Sequence, residues 1–139
     1  MCGDMKLTTT IAQMLIRTAG VIQIGLGGLF WSNNALDLVP VHMLIGLVVV
    51  LSLWLLAGLA ARSGVQPVLV AFAIAWGVVV PVFGMTQTQI LPGSFHWMVQ
   101  VLHLLVGVGA LALAETLARR IRSRLAFPRA TAQPAASYR

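Results

Sequence analysis

Residues 38–61 read LVPVHMLIGLVVVLSLWLLAGLAA and contain no charged side chain. A helix rises 1.5 Å per residue, so about 20 such residues cross the ~30 Å hydrocarbon core of a bilayer. The run is too long for a strand and apolar on every side, which suits a helix surrounded by lipid or protein. Working outward, three further runs of the same kind occupy approximately residues 10–32, 66–85 and 95–118. The sequence therefore predicts an all-α membrane protein with four transmembrane helices.

Turn chemistry separates the runs. Ser32-Asn33-Asn34 ends the first, and Asp37 is placed to cap the second, with Pro40 tolerated in its first turn. Arg62-Ser63-Gly64 and Pro67 divide the second from the third. Pro92-Gly93-Ser94 divides the third from the fourth, with Ser94 as its expected cap. Loops this short enforce an up-down-up-down bundle. Pro81 is expected to kink the third helix. Gly20, Gly25, Gly27 and Gly28 are expected to form the packing surface of the first.

Composition agrees. Of 139 residues 59% are hydrophobic and only 9% charged, against roughly a quarter charged in soluble domains. The net charge of +6 does not signal nucleic acid. The basic residues flank the apolar runs or lie in the last segment, as membrane topology demands. Lys6, Arg62, Arg119, Arg120, Arg122, Arg124, Arg129 and Arg139 all fall on one side, which predicts both termini in the cytoplasm of a prokaryotic inner membrane. Trp31 and Trp97 then mark the opposite interface. Residues 1–9 read as a short N-terminal segment, and residues 121–139 as a basic tail suited to anionic lipid. The first run is too long for a signal-peptide core and is expected to remain as a helix. Cys2 is the single cysteine, so no internal disulfide exists.

Two charges interrupt the runs. Arg17 lies about two turns into the first helix, and Glu115 about one turn from the end of the fourth. Charges at such depth are normally paired. Glu115 has two candidate partners, Arg119 on its own helix and Arg17 if the first and fourth helices touch.

The second and fourth runs share a pattern. PVHMLIG places His42 one helical turn before Gly46, and VLHLLVG places His103 one turn before Gly107. Each half of the chain is then a helix, a short loop and a helix carrying H-x-x-x-G, which suggests a duplicated two-helix unit. The second and fourth helices would run parallel, with their histidines facing across the bundle. A haem iron takes one axial ligand on each face. His42 and His103 can supply both, with Gly46 and Gly107 letting the plate approach the backbone. His42 is about four residues into its helix and His103 about eight, an offset of roughly 6 Å. His96, two turns before His103 on the same face, remains an alternative ligand or a partner for a haem propionate. Gln87 and Gln89 are set at the end of the third helix, where loop capping or a quinone contact are both open.

At these residues the chain resembles one half of the haem A synthase-like membrane proteins. In each of their bundles, histidines on the second and fourth helices ligate haem. His42 and His103 fall on the matching helices, and the resemblance covers roughly residues 10–120. It implies a haem-holding bundle rather than the synthase's oxidative chemistry. This chain is a single bundle without the outer-loop cysteine pair, and it has Val39 where those enzymes carry an acid. It is also broadly similar to small four-helix b-type cytochromes. The expectation is one haem b between the second and fourth helices, passing electrons to or from a quinol or within a larger redox complex. A non-catalytic scaffold and a small oligomeric proton-linked carrier stay open as alternatives.

Overall fold

The computed structural model describes residues 2–126. Four helices follow one another: α1 (Cys2–Trp31), α2 (Val39–Arg62), α3 (Pro67–Thr86) and α4 (His96–Ala126). Short 3₁₀ turns, Leu36–Leu38 and Gln87–Gln89, precede α2 and follow α3. All four helices are long and apolar enough to cross a membrane, and the chain is an all-α, multi-pass membrane protein. One end of the bundle carries the N-terminus, the α2–α3 loop and the end of α4. The opposite end, called here the far end, carries the other two loops with Trp31 and Trp97.

The helix ends differ from expectation in instructive ways. α1 begins at Cys2 and absorbs the expected N-terminal segment. Asp4 sits in its first turn, where a carboxylate favours the helix dipole. Thr8, Thr9 and Thr10 each return their hydroxyl to the carbonyl four residues back, so these polar side chains cost the helix no unmet donor. α4 runs past residue 118 to Ala126, with Ile121 fully buried, so residues 121–126 are helix and not tail. The rest of that segment lies outside the described residues. Asp37 belongs to the 3₁₀ turn and does not cap α2, whose N-cap is Leu38, without a side-chain hydrogen bond. Pro40 and Pro67 do occupy the first turns of α2 and α3, where a missing N–H is harmless.

α2 and α4 pack directly against each other, and α1 and α3 each pack against both. Small residues permit this closeness. Ala57 and Ala60 on α2 and Ala110, Ala114 and Ala118 on α4 have no exposed surface. Leu53, Leu56, Leu117 and Ile16 fill the space between them.

This core is one-sided. It occupies the half of the bundle near the termini. Between residues 21 and 48 nothing is buried, and between residues 78 and 105 only Val99 is. The far halves of all four helices therefore meet without a close-packed core of their own.

Candidate functional site between helices 2 and 4

His42 is the fourth residue of α2 and His103 the eighth of α4. The predicted axial offset is thus real, yet the two rings face each other. Their centroids lie 6.3 Å apart with the ring planes at 46°. Each histidine is flanked by a phenylalanine from the preceding helix. Phe30 of α1 meets His42 edge-on at 5.3 Å, and Phe83 of α3 stacks on His103 at 5.9 Å. The two halves of the chain thus build the same pair, phenylalanine on one helix and histidine on the next. The site lies in the half of the bundle that lacks a core.

The Nδ1 atoms of both histidines are buried without a hydrogen-bond partner, as is Oε1 of Gln23 on α1. Buried polar atoms in an apolar setting are normally satisfied, because each orphan costs about 1–3 kcal/mol. All three lie in the half of the bundle without a core.

The glycines divide unequally. A Cβ on Gly46 would come within 2.9 Å of Gln23 Nε2, so this glycine seats an amide rather than an open slot. Gly107 has nothing within 4 Å of where its Cβ would be, and it leaves the space beside α4 free. The glycine that touches a histidine is Gly84 of α3, whose Cβ would lie 3.2 Å from His103 Cε1. The spacing of Gly46 and Gly107 is shared, but their surroundings are not.

His96 opens α4, and its Nδ1 lies 3.3 Å from the Ile90 carbonyl in the preceding loop. It holds the loop to the helix, while the ring facing His42 is that of His103. Gln87 and Gln89 form the 3₁₀ turn that ends α3. Gly20 packs as expected, against Leu111 of α4, but Gly25, Gly27 and Gly28 touch nothing that a Cβ would meet.

The residues can be tested against a haem. Two imidazoles sharing one metal ion through nitrogens at about 2 Å have ring centroids about 6 Å apart. The observed 6.3 Å meets that requirement, and ligation along the ring–ring axis leaves the interplanar angle free. The donors are two neutral-capable imidazoles with apolar and aromatic neighbours, as a porphyrin site needs. Among the described residues no group of three or more His, Cys, Asp or Glu side chains gathers to hold a metal by itself. The residues fit a metal that brings its own equatorial ligands.

A separate polar cluster joins α1 to α4 nearer the termini. Arg17 donates from Nε and Nη2 to the two carboxylate oxygens of Glu115, at 2.5 and 2.8 Å. Gln13 donates to Glu115 Oε2 at 2.7 Å and accepts from Arg122 Nη1 at 2.6 Å. Of the two partners open to Glu115, the cross-helix one is realised. Gln13, missed in the sequence, is 5% exposed and links Glu115 to Arg122. Its signal was its position on the stripe Thr9, Gln13, Arg17, spaced four apart on one face of α1.

Neither a known protein family, nor a curated protein, nor a solved structure matches the chain.

Proposed function

We propose that the chain is a small b-type cytochrome of a prokaryotic inner membrane, with both termini in the cytoplasm. His42 and His103 hold one haem b between α2 and α4. The observation that carries this reading is the pair of imidazoles from diagonal helices, 6.3 Å apart in the half of the bundle without its own core. That half buries few side chains of its own, so a bound group would add packing there that the helices lack.

A haem so held supplies one-electron transfer. The chain's own residues decide what kind. His42 and His103 would be the two residues that hold the haem, and two histidine ligands would favour electron transfer over oxygen binding. Phe30 and Phe83 restrict the two rings from the sides. The partner is a quinol or a larger membrane redox complex of which this chain is a subunit.

The test is an absorption spectrum of protein purified in detergent after expression with ample haem, oxidised and then reduced with dithionite. A sharp low-spin α band that is lost in both His42→Ala and His103→Ala supports the reading. A folded, colourless protein that takes up no added haem overturns it and leaves the scaffold reading, in which the histidines only pack the helices. The carrier reading gains little support from Arg17 and Glu115, because each is already bound to the other.

A further inference from the structure

Gln23 is the residue of the site without an evident reason to be polar. It lies on the bundle-facing side of α1, in the half without a core, and its Oε1 is buried with no donor. Its amide rests against the backbone of α2 at Gly46, so closely that any side chain there would displace it. Gly46 is one turn from His42, about 6 Å along the helix axis. His42 Nδ1 is likewise buried without a partner. Gln23 thus rests on the α2 residue one turn from His42, and each of the two side chains holds a buried polar atom that is costly alone.

Resting on the haem reading above, we infer that Gln23 is the positioning residue for His42. Were Nε2 of His42 the ligand, the ring proton would be on Nδ1, and Gln23 Oε1 is the acceptor we assign to it. That hydrogen bond fixes the tautomer and ring orientation and makes Nε2 a stronger donor. Gly46 is then explained as the seat of the glutamine rather than of the porphyrin. His103 has no equivalent, since its neighbour on α3 is Gly84. The two ligands are thus unequal, with His42 the one that tunes the metal.

The experiment compares Gln23→Met, Gln23→Glu and wild type in the purified, haem-loaded protein, reading haem affinity and midpoint potential. Gln23→Met keeps the volume and removes the acceptor. It is expected to weaken haem binding by about 10–100-fold and to raise the potential. Gln23→Glu supplies a stronger acceptor and is expected to retain haem and lower the potential. Opposite shifts in the two variants are the signature, because a packing effect has no reason to follow acceptor strength. Unchanged potentials, or shifts in the same direction, overturn the role of Gln23 while leaving the cytochrome reading intact. A wild-type protein that binds no haem overturns both, and is recognised before any variant is made. Should Gln23→Glu fail to fold, the Met variant decides alone: unchanged affinity and potential overturn the inference.

Discussion

The indole of Trp54 lies against Gly77 so closely that a Cβ on Gly77 would collide with Nε1. The same indole N–H donates to the carbonyl of Ile74, three residues earlier on α3. α3 and α4 repeat the arrangement. Trp76 donates to the Val106 carbonyl at 3.0 Å and covers Gly109, again three residues on. In each case a neighbouring helix offers a carbonyl as acceptor and, one turn further, a glycine as the floor for the ring. An indole N–H in an apolar environment needs such an acceptor.

Gly77→Ala and Gly109→Ala are expected to destabilise the bundle by about 1–3 kcal/mol each, the usual range for overpacking. Gly58→Ala, where nothing lies within 4 Å, is expected to change stability by less than about 0.5 kcal/mol. Reversible unfolding in mixed micelles, followed by tryptophan fluorescence, measures all three. Equal effects at the three sites would refute the ring-on-glycine account.

The glycines around the histidines are expected to separate in the same way. Gly84→Leu crowds His103 and is expected to abolish the low-spin spectrum. Gly107→Ala meets open space and is expected to keep it. Gly46→Ala displaces the Gln23 amide and is expected to behave like Gln23→Met in potential. Reduced-minus-oxidised spectra and redox titration of the three proteins check this.

His96 is expected to be dispensable for the cofactor. His96→Ala removes a contact with the Ile90 carbonyl, so it should loosen the α3–α4 loop without altering the α band. A spectrum lost in His96→Ala but kept in His103→Ala would exchange their roles.

Arg17 and Glu115 are expected to be coupled. Arg17→Ala leaves the Glu115 carboxylate with Gln13 as its remaining side-chain partner, and Glu115→Ala leaves Arg17 without its counterion. Each single variant should lower the melting temperature. The double variant should lower it by less than the sum, because neither residue is then left alone. Additive losses would mean that the pair contributes nothing as a pair.

The architecture was legible because it rests on the length and apolarity of the runs. A run such as 38–61 admits one reading in a bilayer, and the turn residues between the runs separate the four helices. The facing of His42 and His103 was legible from topology, since parallel second and fourth helices bring matched positions together. Gln23 was not legible as part of the site, for nothing in its local sequence tells which neighbour its amide will touch. Gly84 carries no spacing signal at all, because its partner is on another helix. Trp54 and Trp76 did leave a trace. Indoles prefer the interface, and these two sit mid-helix, where each needs an acceptor. The helix ends were misjudged where hydropathy stops but helical hydrogen bonding does not, as with Thr8, Thr9 and Ile121.

The link between α1 and α4 has a consequence for how the chain is made. Arg17 precedes Glu115 by 98 residues. At about 5–20 residues per second of synthesis, the first helix waits roughly 5–20 s before its counterion exists. During that interval the guanidinium has to reach for the interface or keep its helix at the insertion machinery. The first helix is therefore free of its partner until residue 115 has been made, and the pairing of α1 with α4 follows that of α1 with α2.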